Sequence, residues 1–149
     1  MDPIEVSELF EQIVEFSMSE RLAHGELQMS FLFVMPDGTL SAVPTPPVSD
    51  NRMVAIVIRK MAQMVGALYV IQVSEGWMTT QDCSELPPSQ QPDRVEVILV
   101  SLDGPDLKLL TTIEIRSDGT LGEPKKSESF TGRMAGLSGA APTSPDVFN

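Results

Sequence analysis

Arg94-Val95-Glu96-Val97-Ile98-Leu99-Val100-Ser101-Leu102, then Asp103-Gly104-Pro105-Asp106, then Leu107-Lys108-Leu109-Leu110-Thr111-Thr112-Ile113-Glu114-Ile115-Arg116, is the stretch that decides the fold. In the first run apolar residues occupy both parities, Val95, Val97 and Leu99 against Ile98, Val100 and Leu102. That is the pattern of a central strand buried on both faces. In the second run Leu107, Leu109, Thr111, Ile113 and Ile115 alternate with Lys108, Leu110, Thr112, Glu114 and Arg116, as in a half-exposed strand. The Asp-Gly-Pro-Asp between them is a tight turn.

Working outward, Leu68 to Met78 reads as a further strand, and Thr79 to Asp93 as a polar loop with Pro87, Pro88 and Pro92. Asn51 to Val65 reads as a helix capped by Ser49 or Asp50. Its apolar residues (Met53, Val54, Ile56, Val57, Met61, Met64, Val65) cover most of the circumference, so it is expected to be buried on more than one side. The β-branched run Val54–Ile58 leaves a strand as the competing reading. Gln28 to Val43 holds Pro36-Asp37-Gly38-Thr39 between apolar runs, a hairpin signal, with strands at about 28–35 and 39–43. Pro44-Thr45-Pro46-Pro47 follows as a stiff connection.

Residues 2–23 carry the strongest helix pattern: Asp2 as cap, Pro3 in the first turn, Glu5 completing a capping box, and Gly25 as the stop. Val6, Leu9, Phe10, Ile13 and Phe16 would form its buried stripe, and Glu5, Glu8, Glu11 and Glu15 the other face. The reading is an α+β domain over residues 1–118. It has one mostly antiparallel five-stranded sheet and two helices in the order α-β-β-α-β-β-β. Residues 119–149, rich in Gly, Ala, Pro and Ser, read as a flexible tail. The element order resembles that of roadblock-like and other profilin-like modules, which implies a sheet packed by helices and a tendency to dimerise.

The chain has 149 residues and 16.2 kDa, enough for one core. Its formal charge of -11 argues against a general nucleic-acid binder, which needs a basic stripe, and against an anionic membrane surface. No segment reads as a membrane helix or a signal peptide, so a cytoplasmic protein is expected. Charge is uneven. Residues 1–118 hold 18 acids and seven bases, and the first 26 residues hold seven of those acids and only Arg21. Arg52, Arg59 and Lys60 are three of the seven bases.

Catalytic chemistry finds little footing. One His (His24) and one Cys (Cys83) exclude sites that need two of either. His24 lies at a helix end, and Cys83 in a polar loop with no basic neighbour to activate it. No catalytic residue, metal ligand set or cofactor is assigned. Asp37, Asp103, Asp106 and Asp118 all sit in turn sequences, where Asp serves local hydrogen bonding. A carboxylate–metal enzyme would require them to converge in one cleft. The four glutamates of the first helix admit two readings, a solvated face or a docking surface for a basic partner. The methionines divide likewise: Met53, Met61 and Met64 as core filler, Met29, Met35 and Met78 as an adaptable interface.

Ser74-Glu75-Gly76-Trp77-Met78 and, beyond the loop, Pro88-Ser89-Gln90-Gln91-Pro92-Asp93-Arg94-Val95-Glu96-Val97 resemble small uncharacterised proteins of phages and mobile elements. These show Ser-Glu-x-Trp ending one strand and Pro-x-x-x-Pro-x-Arg-x-Glu leading into the next. Gly76 replaces their more usual alanine and Gln91 their frequent histidine. The resemblance implies a mobile-element origin, with a host cytoplasm as setting, and no reaction. Glu75, Trp77, Asp93, Arg94 and Glu96 are the members of this joint or site, with Arg94 expected to pair with Glu75 or Glu96. The functional expectation is a non-catalytic protein-binding accessory protein, self-associating or bound to a basic partner. Its sharpest form is an acidic inhibitor of a host nucleic-acid-binding protein. The alternatives are a virion-associated structural subunit with an assembly tail and the carboxylate–metal enzyme.

Overall fold

A computed structural model describes residues 3–46, 50–78 and 94–127. The elements run α1 (Pro3–His24), β1 (Ser30–Val34), β2 (Leu40–Val43), α2 (Asn51–Val65), β3 (Tyr69–Met78), β4 (Val95–Asp103), β5 (Lys108–Glu114) and β6 (Lys125–Ser127). All strands join one antiparallel sheet in the order β2-β1-β3-β4-β5-β6. The α+β class and the succession of the first seven elements agree with the sequence reading. The sheet has six strands where five were expected, and the sixth falls in the stretch read as tail. An Ile115–Leu121 bridge and three β5–β6 pairs carry the folded unit to Ser127, past the expected boundary at 118. Residues 128–149 lie outside the described residues.

Register assigns each side chain to a face. Val73 opposite Val100 and Ile71 opposite Leu102 point to one side, where Val6, Phe10, Ile13 and Val14 of α1 complete the main core. Phe31, Phe33 and Val70 point to the other side and pack on Val54, Ile58 and Ala62 of α2. The helices are therefore staggered, α1 toward β3–β4–β5 and α2 over β2–β1–β3. A third cluster, Val97, Leu99 and Leu110 with Met78, lies on α2's side of the sheet and includes neither helix. No helix among the described residues is long and apolar enough to cross a membrane.

Two expectations about helix burial are corrected. The buried stripe of α1 is Val6, Phe10, Ile13, Val14 and Ser17, while Phe16 is 64% exposed. Small Ser17 returns its hydroxyl to the Ile13 carbonyl at 2.7 Å and faces the sheet, which turns Phe16 out onto the helix flank. α2 is buried along one side only, the side that packs on the sheet: Met53, Ile56, Met64 and Val65 are exposed. Met53 and Met64 are thus not core filler, whereas Met29, Met35 and Met78 pack against buried clusters. Asp50 supplies the cap of α2, accepting from the Arg52 N–H at 2.9 Å.

Turn chemistry repeats. In Asp37-Gly38-Thr39 and again in Asp118-Gly119-Thr120, the glycine sits at φ 87, and the Asp carboxylate accepts from both the Thr N–H and the Thr hydroxyl. Met35 N–H to Thr39 O and Arg116 N–H to Thr120 O, both 2.9 Å, close the two hairpins identically. In the β4–β5 turn, Gly104 is needed for a different reason. A Cβ there would lie 2.6 Å from Tyr69 Cε1, closer still to Cδ1, and 3.3 Å from the Leu68 carbonyl oxygen. Tyr69 is buried and donates its hydroxyl to Asp106 at 2.8 Å, so it cannot swing away.

Gly104→Ala is expected to cost about 1–3 kcal/mol through overpacking against Tyr69, read by urea denaturation; unchanged stability would contradict the close approach. Both turn aspartates have carboxyls held below the ordinary 3.8: Asp37 first by the Thr39 backbone N–H, Asp118 first by the Thr120 hydroxyl. A depressed folded-state value favours the folded state above the unfolded value, and this contribution disappears as pH falls through the folded one. Carboxyl NMR titration should therefore place both midpoints below 3.8, with Thr39→Val raising that of Asp37 and Thr120→Val that of Asp118. Midpoints unmoved by these substitutions would contradict the assignment.

Candidate functional site

The stagger of the helices leaves β2 and the outer part of β1 only partly covered on the α1 side. There an apolar groove of about 460 Å³ opens between α1 and the sheet. Leu9, Ile13 and Phe16 form the helix wall, and Leu32, Leu40 and Val73 the sheet wall. Phe16 and Leu40, 64% and 45% exposed, stand at its mouth. Its polar lining is sparse: Gln12, Ser17 and Ser30, with the Ser17 hydroxyl already committed to its own helix. β2, the outer wall, is the edge of the sheet.

The glutamates lie where the 3.6-residue period puts them. Glu5, Glu8 and Glu15 are exposed along the side of α1 turned from the sheet, above the groove's helix wall. Glu11 is half-buried on the opposite flank and forms an ion pair with Lys126 of β6. The acidic face is therefore divided, with one glutamate bound to the sheet's far edge and three exposed on the outward side of the helix that forms the groove's wall.

The second candidate cluster is brought together at the open end of β3–β4. Glu75, Trp77, Arg94 and Glu96 share the α1 face of the sheet, with Trp77 directly opposite Glu96. Asp93 lies outside the described residues. Arg94 sits over the Trp77 ring, 5.1 Å from its centroid, and Glu75 is paired with Arg21 of α1. Glu75 Oε1 accepts from the Leu27 N–H at 2.9 Å and lies 2.7 Å from Arg21 Nε. The Nε–H is not aligned on that oxygen, so the contact is an ion pair with the directional bond given to Leu27. Gly25 in the left-handed region stops α1, and Glu75 draws the following segment onto the sheet. Glu75 anchors the groove wall at Leu27.

The turn carboxylates do not converge. Asp37 and Asp118 bind their own threonines, Asp106 accepts from Tyr69, and Asp103 pairs with Lys108. Among the described residues no three His, Cys, Asp or Glu side chains lie together as a metal-holding group. His24 is exposed beside Glu20, 3.1 Å away. Cys83 lies outside the described residues.

Spacing alone predicts Phe16 in the buried stripe, which hides the groove. The alternative stripe Val6, Phe10, Ile13, Val14, Ser17 (i, i+4, i+7, i+8, i+11) turns Phe16 outward but does not by itself locate a groove. Comparisons with protein-family models, curated proteins and solved structures return no match.

Glu75→Ala, which removes the charge facing Arg21 and the acceptor for Leu27, is expected to cost about 1–3 kcal/mol, with Glu75→Gln costing less. Denaturant unfolding measures both; two near-zero costs would show that Glu75 does not anchor α1.

Proposed function

We propose that the chain is a non-catalytic protein-binding accessory protein, and that the groove beside α1 is where it docks its partner. One observation carries this reading: an apolar groove has exposed Phe16 and Leu40 at its mouth, and the helix that walls it carries exposed Glu5, Glu8 and Glu15 on its outward side. Apolar lining without a charged orienting group suits an aliphatic or aromatic side chain better than a polar metabolite. An acidic helix wall favours a segment whose apolar residues are flanked by Lys or Arg and disfavours an anionic lipid or a nucleic acid. Neutralisation would also relieve repulsion along α1, where like charges three or four residues apart cost a few tenths of a kcal/mol per pair. A phage or mobile-element setting, with a host protein as partner, is part of the same proposal and rests on the resemblance of residues 74–97. An acidic inhibitor of a nucleic-acid-binding protein is its narrowest form.

Panning a random-peptide display library on the immobilised full chain tests the reading without knowledge of the partner. Recovered peptides should combine Leu, Met or Phe with Lys or Arg, and should be lost on Phe16→Asp. They should weaken at least tenfold when Glu5, Glu8 and Glu15 become Gln. Recovery of no consensus, or of peptides indifferent to both variants, would remove the groove from the function.

A further inference from the structure

The outward side of α2 carries the chemistry that the groove lacks. Met53, Ile56 and Met64 are 46%, 38% and 85% exposed, and with Lys60 they fall at spacings of three and four, so they form one ridge. Arg52 and Arg59, seven residues apart, run along its flank. An apolar ridge that includes Lys60 and is flanked by Arg52 and Arg59 thus lies on one face of the sheet. The apolar groove lies on the opposite face, walled by the helix that carries Glu5, Glu8 and Glu15 on its exposed side. We infer that the groove's partner includes a second copy of this chain, which presents its α2 ridge head-to-tail. The inference rests on the docking reading above and names the occupant.

Charge decides among the possible self-contacts. Groove against groove would set the α1 glutamates of two copies facing each other, and ridge against ridge would do the same with Arg52, Arg59 and Lys60. Only groove against ridge pairs opposite charges while covering both exposed apolar surfaces. Such a contact is heterologous: each copy keeps one groove and one ridge unused, so association continues into rings or open chains. Exposed methionines suit the ridge, since their unbranched side chains adapt to a groove of irregular shape.

The test uses two variants of the full chain at exposed positions, Phe16→Asp to block the groove and Met64→Asp to block the ridge. Circular dichroism confirms that each folds. By size-exclusion chromatography with light scattering, wild type is expected to rise above 16.2 kDa as concentration increases. Each variant alone should remain monomeric, and an equimolar mixture should form a dimer and nothing larger, because it contains one intact groove and one intact ridge. A mixture that stays monomeric overturns the inference. So does a wild type that stays monomeric up to its solubility limit, or either variant self-associating alone. Peptide capture by a strictly monomeric wild type would leave the docking reading standing and remove only the self-partner; failure of both would remove both.

Discussion

Two helices cannot cover both faces of a six-stranded sheet. Strands lie about 4.8 Å apart and a helix with its side chains is about 10 Å wide, so one helix shields roughly two strands. β4, apolar on both faces and paired with β3 in the longest ladder among the described residues, is the constraint to which the rest adjusts. The pair needs cover on both faces. α1 gives it on one side through Phe10 and Ile13, and α2 reaches only Val70 on the other, over a Phe31–Phe33 patch. Because the helices sit off-centre in opposite directions, β2 and the outer part of β1 are only partly covered on the α1 side, and the groove is the direct consequence.

The same geometry explains why the chain's charge is arranged as it is. α1 buries an apolar stripe and faces its glutamates outward. Glu11 is drawn to Lys126 at one edge of the sheet, leaving Glu5, Glu8 and Glu15 exposed on the outward side of α1. Arg21 is held by Glu75 at the helix's end, and the basic residues of α2 lie across the sheet. The exposed sides of the two helices thus carry opposite charge on opposite faces of the sheet.

Much of the fold was legible. Apolar residues on both parities in Val95–Leu102 mark a central strand, and Asp37-Gly38-Thr39 marks a hairpin, because few residues satisfy those positions. β6 was not legible from periodicity, since Lys125-Lys126-Ser127 contains no apolar residue. Its signal was local: Asp118-Gly119-Thr120 repeats the first hairpin turn residue for residue. The exposure of Glu5, Glu8 and Glu15 could be read from spacing alone, though not the pairing of Glu11 with Lys126. The groove could not, because it depends on where a helix comes to rest on a sheet, which small Ser17 sets as much as any apolar residue.

Methyl-selective NMR of the full chain, titrated with a peptide of leucines flanked by lysines, tests the central claim most directly. The account predicts saturable shifts at Leu9, Leu32 and Leu40, the methyl groups lining the groove, with the third cluster at Leu99 and Leu110 unmoved. Shifts centred on that third cluster, or the absence of any saturable shift in the groove, would contradict it.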